Sequence, residues 1–216
     1  MERYDLFYIN STSMLWVALD RAKQKKEEPP AIIAFSNPDN SLRYADIEVD
    51  NITGLFGAKK IYRHEEAKKE TMKNTRPENS VLHLSTHAVF NPADSTKSFL
   101  MMADSNLTVE DIWGLPLKGT ILTTLSACET GIGEILSGDD VVSLENAFIF
   151  AGSPAVISSL WKVEDKSTAE LMRLFYENLL KGKTKAEALT EAQRQMKDKY
   201  KNPFYWAAFT LRGDWR

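Results

Sequence analysis

Two residues of this 216-residue chain have the chemistry to act as a pair, His87 and Cys128, and Cys128 is the single cysteine. A thiol is a useful nucleophile only as the thiolate, so near neutral pH it needs a base or a cation beside it. An imidazole supplies either. In that arrangement Cys128 attacks a carbonyl carbon and His87 protonates the leaving amine. Backbone N–H groups at Ala88 and Cys128 are the candidate donors to the oxyanion, and Gly131 and Gly133 leave room for a substrate backbone to approach. The plain alternative is that a lone cysteine is a buried, inert hydrophobe and a lone histidine a satisfied core residue. From residue types alone both readings stand.

Placement separates them. The run Ser80–Thr86 (SVLHLST) reads as a buried strand that delivers His87 at its carboxyl end. The run Gly119–Ser126 (GTILTTLS) reads as another and delivers Ala127 and Cys128. Ala31–Phe35 (AIIAF), closed by the turn-like SNPDN, and Ser153–Trp161 (SPAVISSLW) are further strands. Ala58–Arg63 is a weaker strand, and AAFTLRG near the end reads as an edge strand. Helical spacing marks the segments between them. A helix through MLWVALDRAKQKK is capped by Ser11 or Ser13. Leu42–Gly57 carries Ala45, Val49, Ile52 and Phe56 on one face, with Gly57 as its stop. HEEAKKETMKN reads as a polar helix with a solvated face, and GDDVVSLENAFIFAG as a helix with an acidic start. DKSTAELMRLFYENLLKGK places Leu171, Leu174, Phe175 and Leu179 in one stripe; KAEALTEAQRQMKDKY places Ala188, Ala192 and Met196. Strands alternating with helices imply crossovers and a mostly parallel sheet covered on both faces. In such sheets ligands bind beyond the carboxyl ends of the strands, and if their two strands are neighbours His87 and Cys128 emerge there side by side.

Composition narrows the function classes. Hydrophobic residues make up 43% and charged residues 26%, and the formal net charge is −3. Nothing here points to nucleic acid or a membrane surface as a partner. No apolar run approaches the length of a membrane span, MERYDLFYIN does not read as a signal peptide, and one cysteine suits a reducing compartment. The expectation is a cytoplasmic protein with one domain over residues 1–216: an upstream part, 1–80, and a half, 81–216, carrying the histidine and cysteine motifs.

VLHLSTHAVFNP, LTTLSACETGIGE, GDDVVSLENAFIFAGSPAVISSLWKVED and PFYWAAFTLRGDW, in that order, resemble the CHAT domain, a caspase-like peptidase family related to separases and caspases. The resemblance runs from about Val81 to Trp215, with a looser fit before it. It implies an α/β caspase-like three-layer sandwich, a six-stranded mostly parallel sheet with helices on both faces. It places the histidine role on His87 and the nucleophile role on Cys128. One departure is Ala88, where caspase-type enzymes have glycine; its methyl group narrows the groove or alters the oxyanion-hole backbone. The implied function is a cysteine endopeptidase without cofactor or metal. Its partners are a protein substrate and a regulatory protein or tetratricopeptide-repeat segment, with no nucleic acid and no membrane. Ala88–Lys97 and Thr130–Gly138 are the loops such regulation would order.

The resemblance also implies cleavage after a basic residue, read by Asp165 or its neighbour Glu164. The bland reading of Asp165 is a helix cap. Asp139 and Asp140 suit a helix start but also sit near the cysteine loop, where they could rim a basic-residue pocket. A zinc site from His83, His87 and Cys128 is disfavoured, because a four-residue offset on a strand separates the histidines by roughly 13 Å. Glu129 is better placed to tie down the loop than to join the catalysis. The aromatic stretch Phe204–Phe209 reads as packing. A different class remains open, a catalytically silent caspase-like interaction module in a signalling or defence complex.

Overall fold

The computed structural model describes residues 4–9, 11–22, 28–91, 93–126, 144–161 and 164–216, and the backbone of 128–129. In chain order its elements are α1 (Thr12–Ala22), β1 (Ala31–Ser36), α2 (Ala45–Thr53), β2 (Lys59–Arg63), α3 (Lys69–Asn74), β3 (Ser80–Ser85), β4 (His87–Val89), β5 (Phe99–Leu100), β6 (Leu107–Thr108), α4 (Val109–Trp113), β7 (Thr120–Leu125), β8 (Cys128–Glu129), α5 (Leu144–Ala151), β9 (Ala155–Ser159), α6 (Asp165–Leu180), α7 (Lys185–Lys199) and β10 (Phe209–Gly213). Six strands form the main sheet in the order β10-β9-β7-β3-β1-β2. All neighbours are parallel except β9 and β10.

Period-two alternation splits the apolar residues of these strands between two cores. Ile32, Val81, Leu122 and Ile157 face α2, α6 and α7, where Ile52, Leu171, Phe175, Ala188, Ala192 and Met196 complete one cluster. Ile33, Leu82, Leu84, Leu125 and Val156 face the other side, against Met72, Ile112, Phe148 and Ile149 of α3, α4 and α5. The sheet is thus buried on both faces, which is why its strands read as near-continuous apolar runs. The edge at β10 is partly covered. Tyr8 donates its backbone N–H to Leu211 O at 2.8 Å and accepts from Gly213 N at 3.0 Å, and Phe7 stacks on Trp215 with ring centroids 4.9 Å apart.

A second, smaller sheet, order β6-β5-β4-β8, grows from the carboxyl ends of β3 and β7. Strands of two and three residues carry no readable periodicity, so the sequence gives no sign of it. Two helices also differ from expectation. The segment 64–74 is a 3-10 turn, His64–Glu66, followed by the short α3, not one helix. His64 has φ 48°, which an α-helix cannot continue through. Its face is also not wholly solvated, since Ala67 and Met72 are buried. Helix α2 ends at Gly54, three residues before the expected stop at Gly57, although Phe56 still packs in the core. Ser11 does cap α1, accepting from Met14 N at 3.2 Å. Among the described residues no helix is long and apolar enough to cross a membrane.

Candidate active site

Strands β3 and β7 lie side by side, Leu84 opposite Leu125. Both chains leave the main sheet at the same level. Ser126 N still donates to Leu84 O at 2.9 Å. Thr86 then breaks the strand, its hydroxyl donating to Met101 O at 2.7 Å, and Met101 N donates to His87 O at 2.9 Å. These bonds fix the start of β4 against β5. There the two chains pair again in parallel, with His87 opposite Cys128 and Ala88 opposite Glu129. The two residues singled out for their chemistry are therefore register partners. Ala88 is also paired with Leu100 on its other side, so its backbone is engaged in two ladders.

The imidazole of His87 is held by the loop after β1. Its Nε2 lies 2.7 Å from Ser41 Oγ and 3.6 Å from Asp39 Oδ2. The Ser41 hydroxyl donates to Asp39 Oδ1 at 2.8 Å, and the Ser41 N–H reaches the same oxygen at 3.2 Å. Burial pushes the Asp39 carboxyl up, but the bonds from Ser41 and the charge of His87 outweigh it and hold the group below its ordinary value. The loop is shaped by Asn37 and Asn40, at φ 49° and 61°, a left-handed conformation that asparagine tolerates better than most residues. Asn37 is its anchor. It donates its N–H to Ser85 O at 2.9 Å and its side-chain amide to Asp46 Oδ2 at 3.0 Å, and its Oδ1 accepts from Leu42 N at 2.9 Å. Sequence reasoning passed over Asp39 and Ser41, reading SNPDN as a turn. The signal was available, because that turn sits at the carboxyl end of β1, the strand beside β3.

His83 lies elsewhere, in the main sheet, fully buried. Its Nε2 is 3.0 Å from Glu48 Oε1 and its Nδ1 3.1 Å from Tyr176 Oη. It is a core histidine, with Nδ1 hydrogen-bonded to the tyrosine and Nε2 set against the Glu48 carboxyl, and among the described residues no cluster of three metal-ligating side chains exists. Glu164 occupies the N-cap of α6 without a side-chain capping bond, and Asp165 is the first helical residue rather than the cap. A carboxylate there meets the positive end of the helix. Both follow β9, the strand next to β7, so they arise on the sheet edge that carries His87 and Cys128. Gly131, Gly133, Asp139 and Asp140 lie outside the described residues. The aromatic stretch packs in part: Trp206 joins the first core and donates its Nε1–H to Tyr200 O at 2.9 Å, while Phe204 is exposed.

A like fold is found in solved structures of other proteins. The Arg-specific cysteine proteinase gingipain R superposes with a TM-score of 0.66 at 13% identity, over 93% of this chain and 51% of that one. Saccharomyces cerevisiae separase, in its complex with securin, gives 0.63 at 14% identity, over 97% of this chain and 14% of that one. At such identities the likeness is one of fold. In sequence, tetratricopeptide repeat protein 28 of Mus musculus is 30% identical over 160 residues, 62% of this chain and 6% of that protein. The Homo sapiens protein of that name is 32% identical over 109 residues, 50% of this chain and 4% of that protein. The chain thus spans a small fraction of the curated relatives it matches. The CHAT domain family model matches residues 1–214, and with nearly its whole length accounted for, the chain belongs to the CHAT domain family.

Proposed function

We propose that this domain is a cysteine endopeptidase in which Cys128 is the nucleophile and His87 its proton partner. The observation that carries this reading is the register of the small sheet, with His87 opposite Cys128. Strands in a sheet lie about 4.8 Å apart, close enough for residues so paired to exchange a proton between their side chains. The thiol gives its proton to the imidazole, and the thiolate attacks the scissile carbonyl to form a C–S bond. The backbone N–H of Cys128 holds the oxyanion. The imidazolium then protonates the leaving amine as the C–N bond breaks. Water, activated by the same imidazole, hydrolyses the thioester and frees the thiol.

Two features support a basic residue before the scissile bond. Glu164 and Asp165 follow the carboxyl end of β9, the strand beside β7, and a protein of like fold, gingipain R, is Arg-specific. Asp140 would be a further acid at that rim. Control by a protein partner fits two other findings: separase is seen with securin, and the sequence relatives are tetratricopeptide repeat proteins. The test is covalent labelling with an acyloxymethyl ketone peptide ending in Arg, against a twin ending in Asp, on wild type, Cys128→Ala and His87→Ala. Labelling by the Arg probe that disappears in Cys128→Ala and falls at least about 100-fold in His87→Ala supports the reading. Labelling indifferent to either variant overturns it. No labelling by any probe, with or without candidate partners, would leave the fold serving as an interaction module.

A further inference from the structure

We propose that Ser41 and Asp39 are positioning residues that hold His87 with its proton on Nε2, reserving Nδ1 for proton exchange with Cys128. The proposal rests on the peptidase reading above and adds the atom through which the histidine works. The argument is a count of protons. Asp39 is ionised and can only accept. Its Oδ1 lies 2.8 Å from Ser41 Oγ, so the single hydroxyl proton of Ser41 is committed to it. Toward His87, Ser41 Oγ therefore has only a lone pair to offer. His87 Nε2 is 2.7 Å from that oxygen, a hydrogen-bond distance, and the proton in that bond must be the imidazole's own. The chain runs from Nε2–H to Ser41 Oγ, and from Ser41 Oγ–H to Asp39 Oδ1.

The neutral imidazole so held has its lone pair on Nδ1. When the Cys128 thiol ionises, its proton adds to Nδ1. The imidazolium then donates from Nε2 to Ser41 with Asp39 Oδ2 at 3.6 Å. When the amine leaves, Nδ1 gives the proton up and the ring returns to the same tautomer. The arrangement is built rather than incidental. The loop that carries it is bent at two left-handed asparagines and tied to β3 through the bond from Asn37 N to Ser85 O at 2.9 Å, two residues before His87. Among the described residues the acid facing His87 is Asp39 from this loop; by register β8 sets Cys128 opposite His87 and Glu129 opposite Ala88, and β5 sets Phe99 and Leu100 against β4.

The test has two arms. In uniformly 15N-labelled protein a long-range proton–nitrogen correlation spectrum resolves the tautomer of each of the three histidines, and His87→Gln assigns the one that matters. The expected pattern for neutral His87 is a protonated Nε2 and a bare Nδ1, becoming a mixture of tautomers in Ser41→Ala and Asp39→Asn and restored in Ser41→Thr. A protonated Nδ1 in wild type, or a pattern unmoved by both substitutions, overturns the proposal. This arm does not depend on catalysis.

The second arm follows alkylation of Cys128 by iodoacetamide against pH, with no competing thiol in the chain. Ser41→Ala and Asp39→Asn are expected to slow it about tenfold at pH 6.5 by weakening the imidazolium that supports the thiolate, about one pH unit in the profile. If His87→Ala shifts the profile and the two loop variants do not, the positioning role falls and the peptidase reading stands. If His87→Ala leaves the profile unmoved, the peptidase reading falls, and with it the assignment of Nδ1 to Cys128. Unchanged melting temperatures in the loop variants rule out a merely structural effect.

Discussion

Replacing His83 with leucine tests the buried network beneath the site. His83 is 0% exposed and Glu48 is 3% exposed. The Tyr176 hydroxyl donates to Thr124 Oγ1 at 2.8 Å, so toward His83 Nδ1, 3.1 Å away, its oxygen can only accept. Burial also pushes the Tyr176 hydroxyl far above its ordinary range, so it stays a neutral phenol. His83 thus carries its proton on Nδ1, and its Nε2 faces Glu48 Oε1 across 3.0 Å. Leucine fills most of the volume but takes away the imidazole that lies 3.0 Å from Glu48 Oε1, leaving that oxygen in an apolar interior. Breaking a buried pair in this way costs about 3–5 kcal/mol, a large fraction of the roughly 5–15 kcal/mol that holds a domain folded. Urea unfolding followed by circular dichroism should show the midpoint falling by about 1–2 M with the slope unchanged. The melting temperature should fall on the order of 10 °C. In Glu48→Leu/His83→Leu the orphaned carboxylate is gone, leaving mainly the Ser85 hydroxyl that donates to Glu48 Oε2 at 3.2 Å. The double variant should therefore recover at least about 2 kcal/mol relative to the sum of the singles. A loss under about 1 kcal/mol in His83→Leu, or singles that simply add, would refute the reasoning.

Asp111 offers a pH test. Burial raises its carboxyl, but Lys69, Lys73 and the Thr108 cap hold it far below the usual range, with Lys73 Nζ at 2.7 Å. A lowered folded value gives stability above the unfolded value, lost as pH falls through the folded one. Asp111→Asn should cost about 2 kcal/mol at pH 7, and the gap to wild type in urea midpoints should close below about pH 3.8; a constant gap counts against the charge. Gly152 has φ 129°, and a Cβ there would sit 2.8 Å from Lys118 N. Gly152→Ala should destabilise by more than about 2 kcal/mol, read by thermal melting, and a near-neutral result would refute the tight approach of the α5 exit to the turn before β7. For the specificity of the site, Glu164→Gln with Asp165→Asn should raise KM for Arg substrates about tenfold with kcat held. No change in peptide kinetics would remove these acids from the pocket.

Much of the scaffold is legible in the sequence because burial on both faces of a parallel sheet leaves an apolar run for each strand. AIIAF, SVLHLS, TILTTL and AVISS all form central strands, and the stripes of α6 and α7 pack as their spacing requires. The types of His87 and Cys128, and their place at strand ends, are also local properties of the chain. What pairs them is not local. Their meeting depends on β3 and β7 being neighbours and on a small sheet whose strands are too short to leave a period. The Asp39–Ser41–His87 chain joins positions 46 residues apart, through a loop whose course is decided at two left-handed asparagines and one anchoring bond to β3. His83 and Glu48 likewise find each other only when α2 settles on the sheet. Residue type states what chemistry is available, and periodicity states which face is buried; which polar groups touch is decided by loop closure and register, which appear only in the folded chain.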